Sequence, residues 1–291
     1  MRKLMKLEDL FETSEQVEKL VSNYKKISEE TVLKYLKSDF KNSFDVISET
    51  PLYRGLPSNE AFFFVDPKQL SRTEFQSNLY TLIIDNSEEW ENFPKRSESV
   101  IATTDFQDTK TYGTPYYVIP MDGFKLGCCS ADEIDDSFQN AMKEVGKASL
   151  SEFCDSMKDL LWLVTGCNRE DLYTSEATLR KVCRRFDAAY SGTHIKEFLE
   201  SKSITSKNKM FDETMDDIGL VMLHYFDVHY EGDVYAWIEH IINPEENALF
   251  VEDNYVPGGY VEVWTDSPCI FVHEKKFKEI QTKLGRNTNG G

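Results

Sequence analysis

Three stretches of the chain carry residue types that could do chemistry together. Leu52-Tyr53-Arg54-Gly55 sets an arginine at the end of a strand-like step, beside a glycine where the chain turns. Phe93 to Asp105, FPKRSESVIATTD, is dense in hydroxyls at Ser97, Ser99, Thr103 and Thr104. Tyr260-Val261-Glu262-Val263-Trp264 places a carboxylate inside a short strand-forming run. Each alone has an ordinary reading. An arginine before a glycine is most often a surface or ion-pairing residue, and serine and threonine are common in strands. Glu262 is the most informative of the three, because glutamate is depleted in strands while its neighbours favour them. With a period of two it shares a face with Tyr260 and Trp264, and Val261 and Val263 face the other way. Its ordinary reading is a half-exposed strand edge.

The elements that must position these residues follow from hydrophobic periodicity. Residues 1–50 read as an N-terminal helical cap of two helices. One carries Leu7, Leu10, Phe11, Val17, Leu20 and Val21; the other opens at Ser28-Glu29-Glu30 and carries Val32, Leu33, Tyr35 and Leu36. Residues 51–130 read as short strands in PLYRG, AFFFV, ESVIATT, TPYYVIP and FKLGCC, with LYTLII fitting either strand or helix. Residues 131–245 read as a long helical insertion, amphipathic in DEIDDSFQNAMKEV, SLSEFCDSMKDLLWLV, SEATLRKVCRRFDAAY, DETMDDIGLVMLHYF and DVYAWIEHII. Residues 246–291 return to strand in GGYVEVWTDSPCIFV and close with the charged helix EKKFKEIQTKLG. The expected fold class is α+β.

Composition narrows the field. Of 291 residues, 40% are hydrophobic and 13% aromatic, enough for a full core. A formal charge of −18 repels a nucleic-acid backbone at long range, which disfavours generic DNA binding. Arg169, Arg180, Lys181, Arg184 and Arg185 form the one dense basic patch, expected as a solvated helix face. The six cysteines make no CxxC pair and no zinc-finger spacing, so buried free thiols in a reducing cytoplasm are expected. His224 and His229 are five apart and fall on different helix faces, which argues against a metal pair. There is no GxxxxGK[ST], no GxGxxG after a strand and no GxSxG elbow. The start of the chain, MRKLMKLEDLFETSEQ, lacks the apolar core of a secretory signal, and no apolar run is long enough for a membrane span. A cytoplasmic protein that does not enter membranes is expected.

The order of arginine, hydroxyl-rich strand and glutamate resembles the ADP-ribosyltransferases of the Arg–Ser–Glu class, which include bacterial toxins and enzymes carried by phages. Val100-Ile101-Ala102-Thr103-Thr104 is similar to their Ser-Thr-Ser strand, with Thr103 and Thr104 in place of serines. WENFPKRSESVIATTD followed by YGTPYYVIP looks most like the phage and prophage members, as does NPEENALF upstream of EVWTDSPCIFV. The resemblance covers residues 51–125 and 243–273 and leaves out the N-terminal helices and the insertion.

This resemblance implies a split antiparallel β-sheet core of the ADP-ribosyltransferase type, with N-terminal helices and a large helical insertion. It implies a mono-ADP-ribosyltransferase that cleaves NAD at the nicotinamide–ribose bond. The ADP-ribose would pass to a macromolecular acceptor, protein or nucleic acid, in the cytoplasm of a bacterial or infected host cell. NAD would be the substrate and no metal would be needed. Arg54, with Tyr53 and Gly55, would hold the pyrophosphate, for which a guanidinium fork is suited. Ser99, Thr103 and Thr104 would orient the glutamate and line the nicotinamide ribose. Glu262 would stabilise the oxocarbenium-like state. Tyr112, Tyr116, Phe250 and Trp264 are the candidates to stack on nicotinamide. Members that modify arginine usually carry a second Glu or Gln two residues before the catalytic one; here that position is Tyr260, which leaves other acceptors open. The insertion could recognise the acceptor or bind a protein partner such as an antitoxin, or simply cap the fold. The alternatives are an NAD glycohydrolase with water as acceptor, and a non-catalytic interaction protein that keeps the fold.

Overall fold

A computed structural model of the chain describes residues 24–69, 79–131, 134–190, 194–206, 214, 217–259 and 262–286. The helix expected across Leu7 to Val21, and Tyr260 with Val261, lie outside the described residues. The protein is mixed α+β and divides into two compact units. One comprises residues 1–71, 92–133 and 249–291; the other comprises 72–91 and 134–248.

The first unit is built on an antiparallel sheet. Its strands are β1 (Lys25–Lys26), β2 (Tyr53–Leu56), β3 (Phe62–Val65), β4 (Val100–Thr103), β5 (Thr114–Pro120), β6 (Lys125–Cys129), β7 (Leu249–Asp253), β8 (Glu262–Thr265) and β9 (Cys269–His273). Among the described residues they run in the order β1-β3-β9-β5-β2-β4-β8-β6-β7, antiparallel at every step. β9 reads CIFVH and is buried along its whole length, so both of its faces are covered. Its partner β5 carries Tyr117, whose ring stacks on Phe277 of the helix Glu274–Lys283 with centroids 3.6 Å apart. Phe44 of the helix Lys41–Glu49 meets the same Phe277. That helix is anchored by Asp122, which accepts from the Ser43 amide and hydroxyl, both at 2.8 Å. The helix Glu29–Tyr35 begins where expected, with the Ser28 hydroxyl accepting from the Thr31 amide and two glutamates in its first turn.

Two strands have no counterpart in the sequence reading. β1 is two lysines long, and β7 (LFVED) has one β-branched residue and two acids, too weak a pattern to register. β7 pairs with β6 along its full length, from Lys125↔Asp253 to Cys129↔Leu249.

The second unit is helical. LYTLII, which fitted either strand or helix, is a helix over Leu79–Ile84 with four buried residues, and it belongs with this unit. The stretch DEIDDSFQNAMKEV, expected as one helix, is two short ones, Ile134–Ser137 and Gln139–Glu144, parted at Phe138. The helix Leu150–Thr165 starts on a Ser149 cap and stops at Gly166, whose φ of 65° is the left-handed turn a glycine makes easily. Glu176–Ala189 is capped by Ser175, and Val234–Ile241 by Asp233. Further helices of this unit among the described residues are Asp171–Thr174, Ile195–Ser206 and Leu220–His229, the first two unforeseen in the sequence. Two carboxylates pin helix ends. Asp227 accepts from the Tyr190 hydroxyl at 3.1 Å and the Ile195 amide at 2.7 Å, and Asp187 accepts from the Tyr230 hydroxyl at 2.8 Å and the Val234 amide at 3.0 Å. The basic patch is largely engaged within the unit: Arg169 pairs with Asp159, Arg180 with Glu176, and Arg185 donates to the Thr165 carbonyl.

Among the described residues no helix is long and apolar enough to cross a membrane.

Candidate functional site

The site is built where β4 meets β8. Their register pairs Val100↔Thr265, Ile101↔Trp264, Ala102↔Val263 and Thr103↔Glu262. Paired residues share a face and successive ones alternate. Ala102, Val263 and Cys128 therefore enter the apolar core. The opposite face carries two rows. Gly127, Trp264 and Ile101 form one; Glu262, Thr103, Tyr53 and Tyr117 form the other, running across β8, β4, β2 and β5.

Glu262 is not alone on that face. Nη2 of Arg96 donates to its Oε1 at 2.7 Å, with the two side chains only 6% and 14% exposed. Arg96 begins the 3₁₀ turn Arg96–Glu98 just before β4. Its guanidinium carbon lies 5.1 Å from the centre of the Trp264 ring, a cation–π distance. Trp264 is fully buried and fixed from several sides. Its Nε1 donates to the Pro94 carbonyl at 2.9 Å, and the Phe93 ring lies near-parallel to it at 6.1 Å. On β6, a Cβ added to Gly127 would meet the indole at 2.2 Å, so only glycine lets the ring lie against that strand. The stretch 93–96 and the strands β6 and β8 thus make one seat, and the seat holds a carboxylate.

The other expected site residues fall around this pair in different ways. Thr103 stands opposite Glu262, half-buried, with its hydroxyl accepting from the Asp105 amide at 3.0 Å. Ser99 is buried just outside β4 and donates to the Lys95 carbonyl at 2.6 Å, closing the turn that carries Arg96. The Thr104 hydroxyl donates to the Gly259 carbonyl, tying the end of β4 to the approach to β8. Tyr53 continues the Glu262 row; its ring meets Phe106 at 5.2 Å and Tyr117 at 5.0 Å. Burial, then the neighbouring Tyr117, raises its pKa, so it is a phenol at any ordinary pH.

Arg54, one residue on from Tyr53, leaves the opposite face of β2 from the Glu262 row. β2 and β4 share the single pair Tyr53↔Thr103, and Arg54 spans the two strands by donating from Nη1 to the Ile101 carbonyl. Gly55 has a packing role: a Cβ there would lie 2.2 Å from the Thr109 carbonyl oxygen and 2.8 Å from the Tyr112 Cβ. Tyr112 is half-buried against it.

Of the aromatic residues named for stacking, Trp264 and Tyr116 are fully buried. Tyr116 donates its hydroxyl to the Glu60 carbonyl at 2.7 Å. Neither ring presents a surface to a ligand: Trp264 supports Arg96, and Tyr116 belongs to the core. Tyr112 and Phe250 remain partly exposed. The six cysteines are buried and unpaired as disulfides, and burial pushes the Cys128 thiol up to about 12, an inert form. Among the described residues no group of three or more His, Cys, Asp or Glu side chains is arranged to hold a metal ion.

Arg96 is the residue the sequence did not single out as functional. It sits in a polar stretch, its partner lies far along the chain, and no local spacing links them. An indirect signal existed in Gly127, isolated inside the strand KLGCC, which marks a close approach by another group. Chemically, the arrangement offers a carboxylate fixed by a guanidinium, with a hydroxyl and a phenol in the same row. Such a group can accept a hydrogen bond from a sugar hydroxyl and face a developing positive charge. No family model, curated protein or solved structure matches the chain.

Proposed function

We propose that the protein is a mono-ADP-ribosyltransferase acting on NAD. The observation that carries this reading is the register of β4 and β8, which sets Thr103 directly beside Glu262. The carboxylate and the hydroxyl that NAD cleavage needs are therefore on one face of neighbouring strands. In the reaction the bond from ribose C1′ to the nicotinamide nitrogen breaks, and its electron pair leaves with nicotinamide. The ribose passes through an oxocarbenium-like state, and a nucleophile of the acceptor closes on C1′ as it gives up its proton. Glu262 accepts a hydrogen bond from a ribose hydroxyl and opposes the positive charge on the ring. Thr103 and Tyr53 line the same row and orient the ribose. Arg54 leaves the other face of β2, so holding the pyrophosphate requires NAD to pass round the end of that strand; the guanidinium has five donors and keeps some beyond its bond to the Ile101 carbonyl.

The resemblance extends the proposal to a phage- or prophage-encoded enzyme working in the bacterial cytoplasm on a macromolecular acceptor other than an arginine side chain. The helical unit is the candidate for recognising that acceptor or an inhibitory protein. The test is incubation with labelled NAD and bacterial lysate, with nicotinamide release measured and the label followed through separate protease and nuclease digestions. Label on a macromolecule that is absent with Glu262→Gln is the expected result. Nicotinamide release without macromolecular label identifies a glycohydrolase. No release at all makes the chain a binding protein and overturns the proposal.

A further inference from the structure

The Arg96–Glu262 pair is costly to build. Taking two charges from water costs several kcal/mol per ion, and an apolar pair of similar size would often stabilise the fold as well or better. The pair is also elaborately held. Trp264 supports the guanidinium, Gly127 admits the indole, Pro94 fixes the indole nitrogen, and the Ser99 hydroxyl closes the turn on which Arg96 stands. This apparatus fixes one carboxylate oxygen, Oε1.

We propose that Arg96 is the positioning residue of the candidate site, clamping Glu262 through Oε1 so that Oε2 is presented to the ribose of NAD. This rests on the reading of the site as an NAD-cleaving centre and adds to it a residue outside the Arg–hydroxyl–Glu set. A carboxylate on a free three-bond side chain samples several rotamers. One held by a seated guanidinium keeps its orientation, and a displacement of about 1 Å in such a group can cost about a hundredfold in rate. Arg54 leaves the other face of β2 and takes no part in the clamp, so the two guanidinium groups have separable duties.

The experiment compares wild type, Arg96→Ala, Arg96→Lys and Arg54→Ala by steady-state nicotinamide release, with circular dichroism to establish folding. Arg96→Ala is expected to lower kcat about a hundredfold while KM for NAD stays within about threefold. Arg96→Lys should recover part of the loss, and guanidinium chloride added to Arg96→Ala should restore rate in a saturable way without doing so for Arg54→Ala. Arg54→Ala should chiefly raise KM. A folded Arg96→Ala variant with wild-type kcat, or one that changes KM alone, overturns the positioning role. A double-mutant cycle on stability with Glu262→Ala, read by chemical denaturation, needs no turnover. Coupling between the two positions in a wild-type protein that releases no nicotinamide retains the clamp and removes the NAD reading. Absence of coupling removes the clamp whatever the activity.

Discussion

Asp187 and Asp227 of the helical unit and Glu262 of the sheet unit are semi-buried carboxylates used in opposite ways. In the helical unit, Asp187 and Asp227 are acceptors for tyrosine hydroxyls and for the amides of Val234 and Ile195. They hold the chain, tying helix ends together. In the sheet unit, Glu262 is itself held: a guanidinium grips it, and a buried indole supports the guanidinium. A carboxylate that organises its neighbours stabilises a fold. One that its neighbours organise is available for something else, and the fold bears the cost of keeping it there.

This contrast can be broken at either end. The largest effect expected is on Glu262: Glu262→Gln should lower nicotinamide release by about 10²–10³-fold with little change in the denaturation midpoint. A large loss of stability with retained activity would make Glu262 the same kind of residue as Asp187. Asp187→Ala should do the reverse, costing about 2–3 kcal/mol in chemical denaturation, because the Tyr230 hydroxyl and the Val234 amide lose a charged acceptor. Nicotinamide release measured under folding conditions should be unchanged. Gly127→Ala drives a methyl into the Trp264 ring and should cost about 1–3 kcal/mol in thermal denaturation, with reduced turnover from the tilted Arg96 seat.

The smallest effect concerns His273, buried at the end of β9, where Nδ1 accepts from the Lys275 amide and starts the last helix. Burial lowers its pKa below the ordinary 6.5. The unfolded chain therefore takes up a proton before the folded one does. The contribution of the neutral ring is present above about pH 6.5 and declines as pH falls through that value. His273→Asn supplies a capping oxygen in place of Nδ1 and removes the titration. It should flatten the acid-side fall in stability by no more than about 1 kcal/mol, seen in denaturation midpoints from neutral to mildly acidic pH. An unchanged slope would place the acid sensitivity elsewhere.

Much of the sheet was legible because its strands are short apolar runs bounded by turns: AFFFV, TPYYVIP and CIFV all became strands. Glu262 was conspicuous for the same reason, an acid among strand formers. What could not be read is whatever depends on pairing between distant segments. Thr103 and Ser99 were equivalent candidates until the register put Thr103 opposite Glu262 and turned Ser99 toward Lys95. Trp264 shared the glutamate's face as alternation required, yet its burial against Gly127 made it support for Arg96 and left no surface for a ligand. Arg96 lies in a turn whose sequence favours no particular conformation, and tertiary contact alone gives it a role. In the helical unit, amphipathic period identified most helices but not the interruption at Phe138, where the backbone leaves helical geometry.

The pairing of β6 with β7 bears on how this protein can change over evolutionary time. Cys129 and Leu249 face each other at the ends of adjacent antiparallel strands, as the two feet of a hairpin would. The chain from 134 to 248 runs from one foot to the other, and it clusters with residues 72–91. The entropy of closing a loop grows only with the logarithm of its length, about 0.6 kcal/mol for each doubling. A lineage can therefore lengthen, shorten or rewrite that segment at little thermodynamic penalty to the strand pairing at its base. The length of the segment closed by β6 and β7 scarcely reaches that pairing, while Glu262 keeps its place on β8, the other neighbour of β6.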